Sequence, residues 1–329
     1  MQTILRSLCV CLLGLCGLAS HAEVSSEFFS KLKSQVFKVI AERPTGTLQA
    51  GSAVLIAPGK LVTNCHVLRW SRRIEVLHDD ARWPARLVAT DAEHDLCILS
   101  AANVPAEAIA FARPASAKID QEVHAASYPG GGDFAVSCGT IRALHDLDAG
   151  KVIQTNAAFS PGSSGGGLFD SDGRLIGVLT FRAVTGGDLH FVMPVAWVDA
   201  LLARADESAA ATINDTAFYH RTDSQQPYFL RAVVLEQTQN WPALLGMAQR
   251  WAQDQANNTE SWMAMGKACV ALNKKDDAVA AFRQVLSIDE HHSHGKNWLL
   301  AMTPGAMRCT GENCDIDAEI FALAEPVLP

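Results

Sequence analysis

The chain carries no dense run of lysine or arginine, and its formal charge is −8. Phosphate binding needs clustered cations, so nucleic acid is not an expected partner. Segments able to cross a bilayer are also missing. The apolar stretch Leu8–Leu18 is too short, and no other segment reads as a span. No adequate ligand set accompanies the closely spaced cysteines of CTGENC, so a metal clip is not expected there. What is present is apolar: 49% of 329 residues are hydrophobic. That length suggests about two domains with substantial cores.

The first 22 residues read as a targeting signal. Arg6 precedes the apolar run, and Ser20 and Ala22 occupy the small-residue positions of a cleavage site. A cut after Ala22 fits better than a lipoprotein cut before Cys16, because Leu15 is a poor residue at that junction. The expected location is periplasmic or secreted. Of nine cysteines, Cys9, Cys11 and Cys16 leave with this segment. An oxidising compartment permits disulfides, and Cys309–Cys314 is the expected bridge.

From Val36 to Val198, short β-branched or apolar runs alternate with Gly, Pro, Asp and Asn turns. Roughly a dozen strands at this spacing suggest barrels or a sandwich. The stretch 203–226 is small and polar, and reads as a linker. Beyond it the pattern is helical over 227–302, followed by a tail, 303–329, with the cysteine pair. Trp262, Met265, Gly266, Cys269, Ala278, Phe282 and Val285 fall at the spacings of a tetratricopeptide repeat. A weaker copy 35 residues upstream pairs Ala243 with Ala278 and Met247 with Phe282. About two repeats is below the usual minimum of ~3. These helices are therefore expected to pack on the β domain or on a further helix near GKNWLLAM. Their concave surface is a candidate site for a peptide or protein partner.

Three stretches carry chemistry. LVTNCHVL places His66 after a strand, HDLCIL places Asp95 before one, and PGSSGGGLF places Ser164 ahead of glycines. A serine hydroxyl needs a base, and the base needs a carboxylate to fix its tautomer. His66, Asp95 and Ser164 fill those roles. A tetrahedral intermediate also needs amide donors for its oxygen. Gly162 and Ser164 supply them, and Gly165 and Gly166 let the chain turn away.

In order and content, TNCHV, DLCIL and GSSGG resemble the chymotrypsin-fold serine proteases, and within them the bacterial HtrA/Deg branch. The likeness runs over roughly residues 30 to 200 and includes GRLIGVLTF and HFVMPV. It implies a mainly β fold: two antiparallel six-stranded barrels over 23–202, with the triad between them, ahead of a small α-helical repeat domain. It places Thr180 near the catalytic aspartate, and Ala158, Phe159, Thr180 and Phe181 beside the substrate. Ala157, Ala158 and Phe159 offer no carboxylate, so small or medium apolar residues are the expected preference before the cut. Ser163 stands where the branch has Asn, and where digestive enzymes have the Asp that receives a newly cut N-terminus. No PDZ-like module follows. Cys65 and Cys97 flank His66 and Asp95; they are expected to meet or to remain buried free thiols.

The remaining polar residues read more plainly. His94 is a turn residue, His291, His292 and His294 follow or cap a helix end, and Asp91 and Asp120 are surface charges. The expected activity is that of a serine endopeptidase acting on a protein or peptide substrate, with no metal or organic cofactor. The alternative is a protease-fold scaffold or binding protein with latent activity, acting through the helical repeats. An esterase with the same triad lacks the G-x-S-x-G strand-to-helix context.

Overall fold

A computed structural model describes residues 25–104, 117–183, 189–205, 211–214 and 216–302, and the backbone of 307–310 and 313–316. The signal segment lies outside the described residues, as do the side chains of Cys309 and Cys314. Backbone pairing does set those two cysteines opposite each other, between Met307–Thr310 and Asn313–Ile316.

After helix α1 (Ser26–Lys33), twelve strands close into two antiparallel barrels. The first holds β1 (Val36–Glu42), β2 (Leu48–Ala57), β3 (Lys60–Asn64), β4 (Arg73–His78), β5 (Ala81–Asp91) and β6 (Leu96–Ser100). Inward side chains such as Phe37, Val39, Leu55, Leu61 and Leu99 fill it. Buried and half-buried positions alternate along β1, the period-2 pattern of a pleated strand with one face inside. The short helix α2 (Cys65–Leu68) follows β3.

The second barrel holds β7 (Glu122–Ser127), β8 (Ala135–Leu147), β9 (Gly150–Thr155), β10 (Gly167–Phe169), β11 (Leu175–Ala183) and β12 (Leu189–Pro194). Val123, Ile141, Ile153, Leu168, Leu179 and Val192 fill it. A closed barrel leaves no unpaired edge, which suits short strands broken by turns. Helix α3 (Val195–Leu202) caps the sheet's exit, with Val195, Trp197, Val198 and Leu201 buried.

Five helices follow: α4 (Tyr228–Gln237), α5 (Trp241–Asp254), α6 (Thr259–Ala271), α7 (Lys275–Ile288) and α8 (Ser293–Met302). Asn240 and Asn258 cap α5 and α6 by accepting from the amides of Ala243 and Glu260. Gly266 is small for a reason: a Cβ there would lie 2.5 Å from the Phe282 ring. Trp298 of α8 stacks on that same ring at 5.5 Å. The helices also pack on the second barrel. One core cluster runs from Val178, Phe191 and Met193 through Phe218 and Phe229 to Leu244, Met247 and Trp251. Among the described residues, no helix is long and apolar enough to cross a membrane.

Candidate active site

The imidazole is presented by α2, one residue beyond Cys65, with which that helix begins. Asp95 stands in the turn before β6, with φ 58°, a left-handed backbone that Asp tolerates better than most side chains. Its carboxylate is almost fully buried and grips His66 twice. Oδ1 accepts from the His66 amide at 2.8 Å, and Oδ2 lies 2.5 Å from Nδ1. A carboxylate on Nδ1 leaves Nε2 as the basic nitrogen. Cys65 and Cys97 form a disulfide, which resolves the choice between bridge and free thiols. It binds the residue before His66 to the strand that starts beside Asp95.

The Asn64 amide ties the two barrels together. It donates to the Asp95 carbonyl at 2.9 Å and to Thr180 Oγ1 at 3.1 Å. Thr180 spends its own proton on the Val178 carbonyl. Its contribution near the aspartate is thus through Asn64 and not through the carboxylate. Ser164, half-buried, turns its Oγ toward the Thr180 carbonyl at 3.4 Å. Among the described residues, no hydrogen bond joins Ser164 Oγ to the His66 ring.

The turn that carries Ser164 is shaped by its amides. Gly162 has φ 93°, and a Cβ there would meet Gly130 N at 2.6 Å. The Pro161 carbonyl accepts from Gly130 N at 2.7 Å. In a trans peptide, that turns the Gly162 N–H the opposite way. The Ser163 amide is used by the Ser160 carbonyl, whereas no described residue accepts from the amides of Gly162 or Ser164. Two neighbouring donors on a cleft wall can receive a developing oxyanion. Gly165, at φ 89°, passes so close to the first barrel that a Cβ would sit 2.1 Å from the Ser52 carbonyl.

Ser52 on β2 was not singled out from sequence, yet it holds this turn from across the barrels. Its amide donates to the Ser164 carbonyl at 2.8 Å, and its hydroxyl donates to the Gly162 carbonyl at 2.9 Å. The same hydroxyl accepts from Tyr128 N. Buried Ser163 is fixed by a hydroxyl contact with Ser127 at 2.9 Å.

Of the residues expected beside the substrate, Ala158 is exposed, Phe181 is half-exposed, and Phe159 and Thr180 are buried. Phe159 packs on the ring of buried His190 at 4.5 Å, and His190 Nε2 donates to the Phe159 carbonyl. His190 occupies an inward position of HFVMPV, where the apolar run masked it.

Tyr219 lies in the stretch read as a linker. Its hydroxyl donates to Asp95 Oδ2 at 2.5 Å, and its ring stacks on Phe181 at 4.1 Å. The only trace in sequence is an aromatic cluster, Phe218, Tyr219 and His220, within a small polar segment.

This arrangement has counterparts. Residues 51–178 match the trypsin-like peptidase domain. The chain is similar to a probable periplasmic serine endoprotease, DegP-like, of Chlamydia pneumoniae, at 35% identity over 149 residues. That alignment covers 43% of this chain and 30% of the relative. A serine protease of Mycobacterium tuberculosis is 29% identical over 165 residues, 47% of this chain and 41% of the relative. The chain thus spans well under half the length of these curated relatives. The active form of that mycobacterial protease superposes with a TM-score of 0.53 at 27% identity, over 59% of this chain and 89% of that one. An HtrA-type protease with a bound tripeptide superposes at 0.50 and 30% identity, over 54% and 61%.

Within HHSH, His292 serves a helix end, whereas the His291 side chain is exposed and His294 stands within α8. His292 Nδ1 accepts from Gly295 N at 3.0 Å in the first turn of α8. Among the described residues, no group of three or more His, Cys, Asp or Glu side chains is placed to hold a metal ion.

Proposed function

We propose that this chain is an exported serine endopeptidase. Ser164 attacks the scissile carbonyl, and His66 takes the proton and returns it to the leaving amine. Asp95 holds the His66 tautomer, and the Gly162 and Ser164 amides receive the oxyanion. The observation that carries the reading is the double grip of Asp95 on His66 beside two unclaimed amides. Ser164 Oγ faces the Thr180 carbonyl at 3.4 Å, a long hydrogen bond that costs little to exchange. Export is supported by the Cys65–Cys97 bridge, which persists in oxidising compartments. We read the helices over 227–302 as tetratricopeptide-like on the strength of Gly266 against Phe282.

The uncharged wall at Ala157, Ala158 and Phe159 favours small or medium apolar residues before the cut. Rapid cleavage after Arg by the pure protein would overturn that preference. The activity itself is tested by a fluorophosphonate probe and by mass-spectrometric mapping of cuts in unfolded casein. Labelling and cutting by the wild type, both abolished in Ser164→Ala, is the expected result. An unlabelled, uncleaving wild type would instead favour a binding protein on a protease scaffold.

A further inference from the structure

Between α3 and α4 the chain crosses back over the first barrel. Phe218 N donates to the Glu93 carbonyl at 3.0 Å, and Arg221 pairs with the Glu93 carboxylate. Glu93 is two residues from Asp95. This pins a short helical turn, Phe218–His220, against the loop that carries the candidate catalytic acid. On its far side the turn is fixed within its own segment and to α4. Gln226 Nε2 donates to the carbonyls of Tyr219 and Arg221, and Phe218 packs on Phe229 of α4.

Tyr219 is the residue this anchoring delivers. Its hydroxyl lies 2.5 Å from Asp95 Oδ2 and 3.5 Å from His66 Nδ1. Asp95 Oδ2 therefore meets two donors, the imidazole and the phenol. Burial, then the Asp95 charge, pushes the Tyr219 hydroxyl well above its ordinary value, so it remains a donor throughout the working range. The ring lies flat on Phe181, and the Asp95 carboxylate beside its hydroxyl is almost fully buried. Thr180 does not supply this contact, since its hydroxyl is committed to the Val178 carbonyl.

We propose that Tyr219, supplied by the segment joining the peptidase domain to the helices, is a positioning residue for the Asp95–His66 pair. This rests on the serine-endopeptidase reading above. The hydroxyl fixes the orientation of the carboxylate and shares its charge, and the ring keeps water from it. Anchored at both ends, the turn makes the geometry of the acid depend on how the helices dock.

The sign of the effect follows from charge sharing. Without the phenol, the Asp95 carboxylate keeps more of its charge for the imidazole beside it, so the pH profile of labelling should shift upward. The charged and titratable groups facing this pair are Arg69 from the end of α2 and His220 from the turn, while Glu93 and Arg221 pair with each other nearby. Phe181 of β11 adds no charge.

The test measures the rate of fluorophosphonate labelling against pH for the full chain, Tyr219→Phe, Tyr219→Ala and Tyr228→Phe. Tyr219→Phe keeps the ring stacked, so folding is preserved. Its labelling should slow roughly tenfold, because a carboxylate free to turn no longer holds the imidazole in the attacking orientation. The midpoint of its pH profile should move upward. Tyr219→Ala should be slower still. Tyr228→Phe removes a hydroxyl that donates to Asp254 on α5 and should match the wild type. Equal rates and midpoints for Tyr219→Phe and wild type would overturn the inference. A slower Tyr219→Phe with an unmoved midpoint would reduce Tyr219 to packing and overturn it equally. A wild type that never labels would sink the endopeptidase reading instead.

Discussion

The Cys65–Cys97 disulfide brackets the His66–Asp95 pair, with one cysteine just before the histidine and the other two residues beyond the aspartate. Thr63 on β3 is register partner to Cys97 on β6, so the bridge stands at the point where the strands deliver both side chains. The Cys65 amide also donates to the Asp95 carbonyl at 3.2 Å. Closing a loop of 32 residues stabilises a chain by about 3–4 kcal/mol in the chain-entropy model. Cys65→Ser with Cys97→Ser should lower the urea unfolding free energy by about that amount. It should also slow labelling of Ser164 more than stability alone explains, because the α2 anchor loosens. Unchanged labelling at a temperature where both forms are folded would show that the bridge serves stability only.

Ser52 offers a second test. Replacing it with Ala leaves the Gly162 carbonyl and the Tyr128 amide without their hydroxyl partner. Unsatisfied buried polar groups cost about 1–3 kcal/mol. The Gly162 peptide would lose one of its fixed points, so kcat should fall while KM for a short peptide changes little. A variant with wild-type kcat and lowered stability would confine Ser52 to packing.

Much of this was legible in the sequence because the signals were local. Period-2 apolar runs broken by Gly, Pro and Asp give short strands but leave barrels and a sandwich both open; the two barrels were implied by the family resemblance. Gly266 and Phe282 sit three helical turns and a loop apart, and their size contrast foreshadowed two helices in close contact. The rest depended on contacts between distant segments. Spacing alone could not choose between a Cys65–Cys97 bridge and two thiols. Ser52 looked like any strand serine, because its partners arrive from the other barrel. Tyr219 was hidden in a segment without periodicity, whose position is set by Glu93 and Gln226 and not by its own pattern.

Gly266→Ala tests the helical region. Helix propensity alone would favour Ala by about 1 kcal/mol. The added methyl would lie 2.5 Å from the fully buried Phe282 ring, which is held in turn by Trp298. Overpacking of this kind costs about 1–3 kcal/mol, so a net loss is expected. It should appear as a lower melting temperature with the fluorophosphonate labelling rate unchanged. A gain in stability would mean that the helices yield more easily than their packing implies.

His94 links stability to pH. Its Nδ1 lies 2.8 Å from Asp91 Oδ2 and its Nε2 lies 2.8 Å from Asp148 Oδ2, with the ring stacked on Trp197 at 3.8 Å. Asp148 belongs to the turn between β8 and β9, so the histidine bridges the two barrels. Burial opposes the charge on His94, but the hydrogen bond and charge of Asp91, with those of Asp148, outweigh it, and its pKa is raised. Two carboxylates are satisfied together only by the doubly protonated ring. A raised folded-state value means that this stabilisation is fully present below the ordinary value of about 6.5 and is lost as pH climbs through the folded value. Asp91 acts at the other end: burial opposes its charge, His94 overcomes that, and its lowered value gives stability that is lost only as pH falls into the acid range. Urea midpoints of wild type and His94→Gln should therefore be far apart near pH 6 and converge toward pH 9. Loss of the Trp197 stack adds a constant offset that does not vary with pH. A difference that stays flat across that interval would show that His94 is neutral in the fold and that the barrels are held by other contacts.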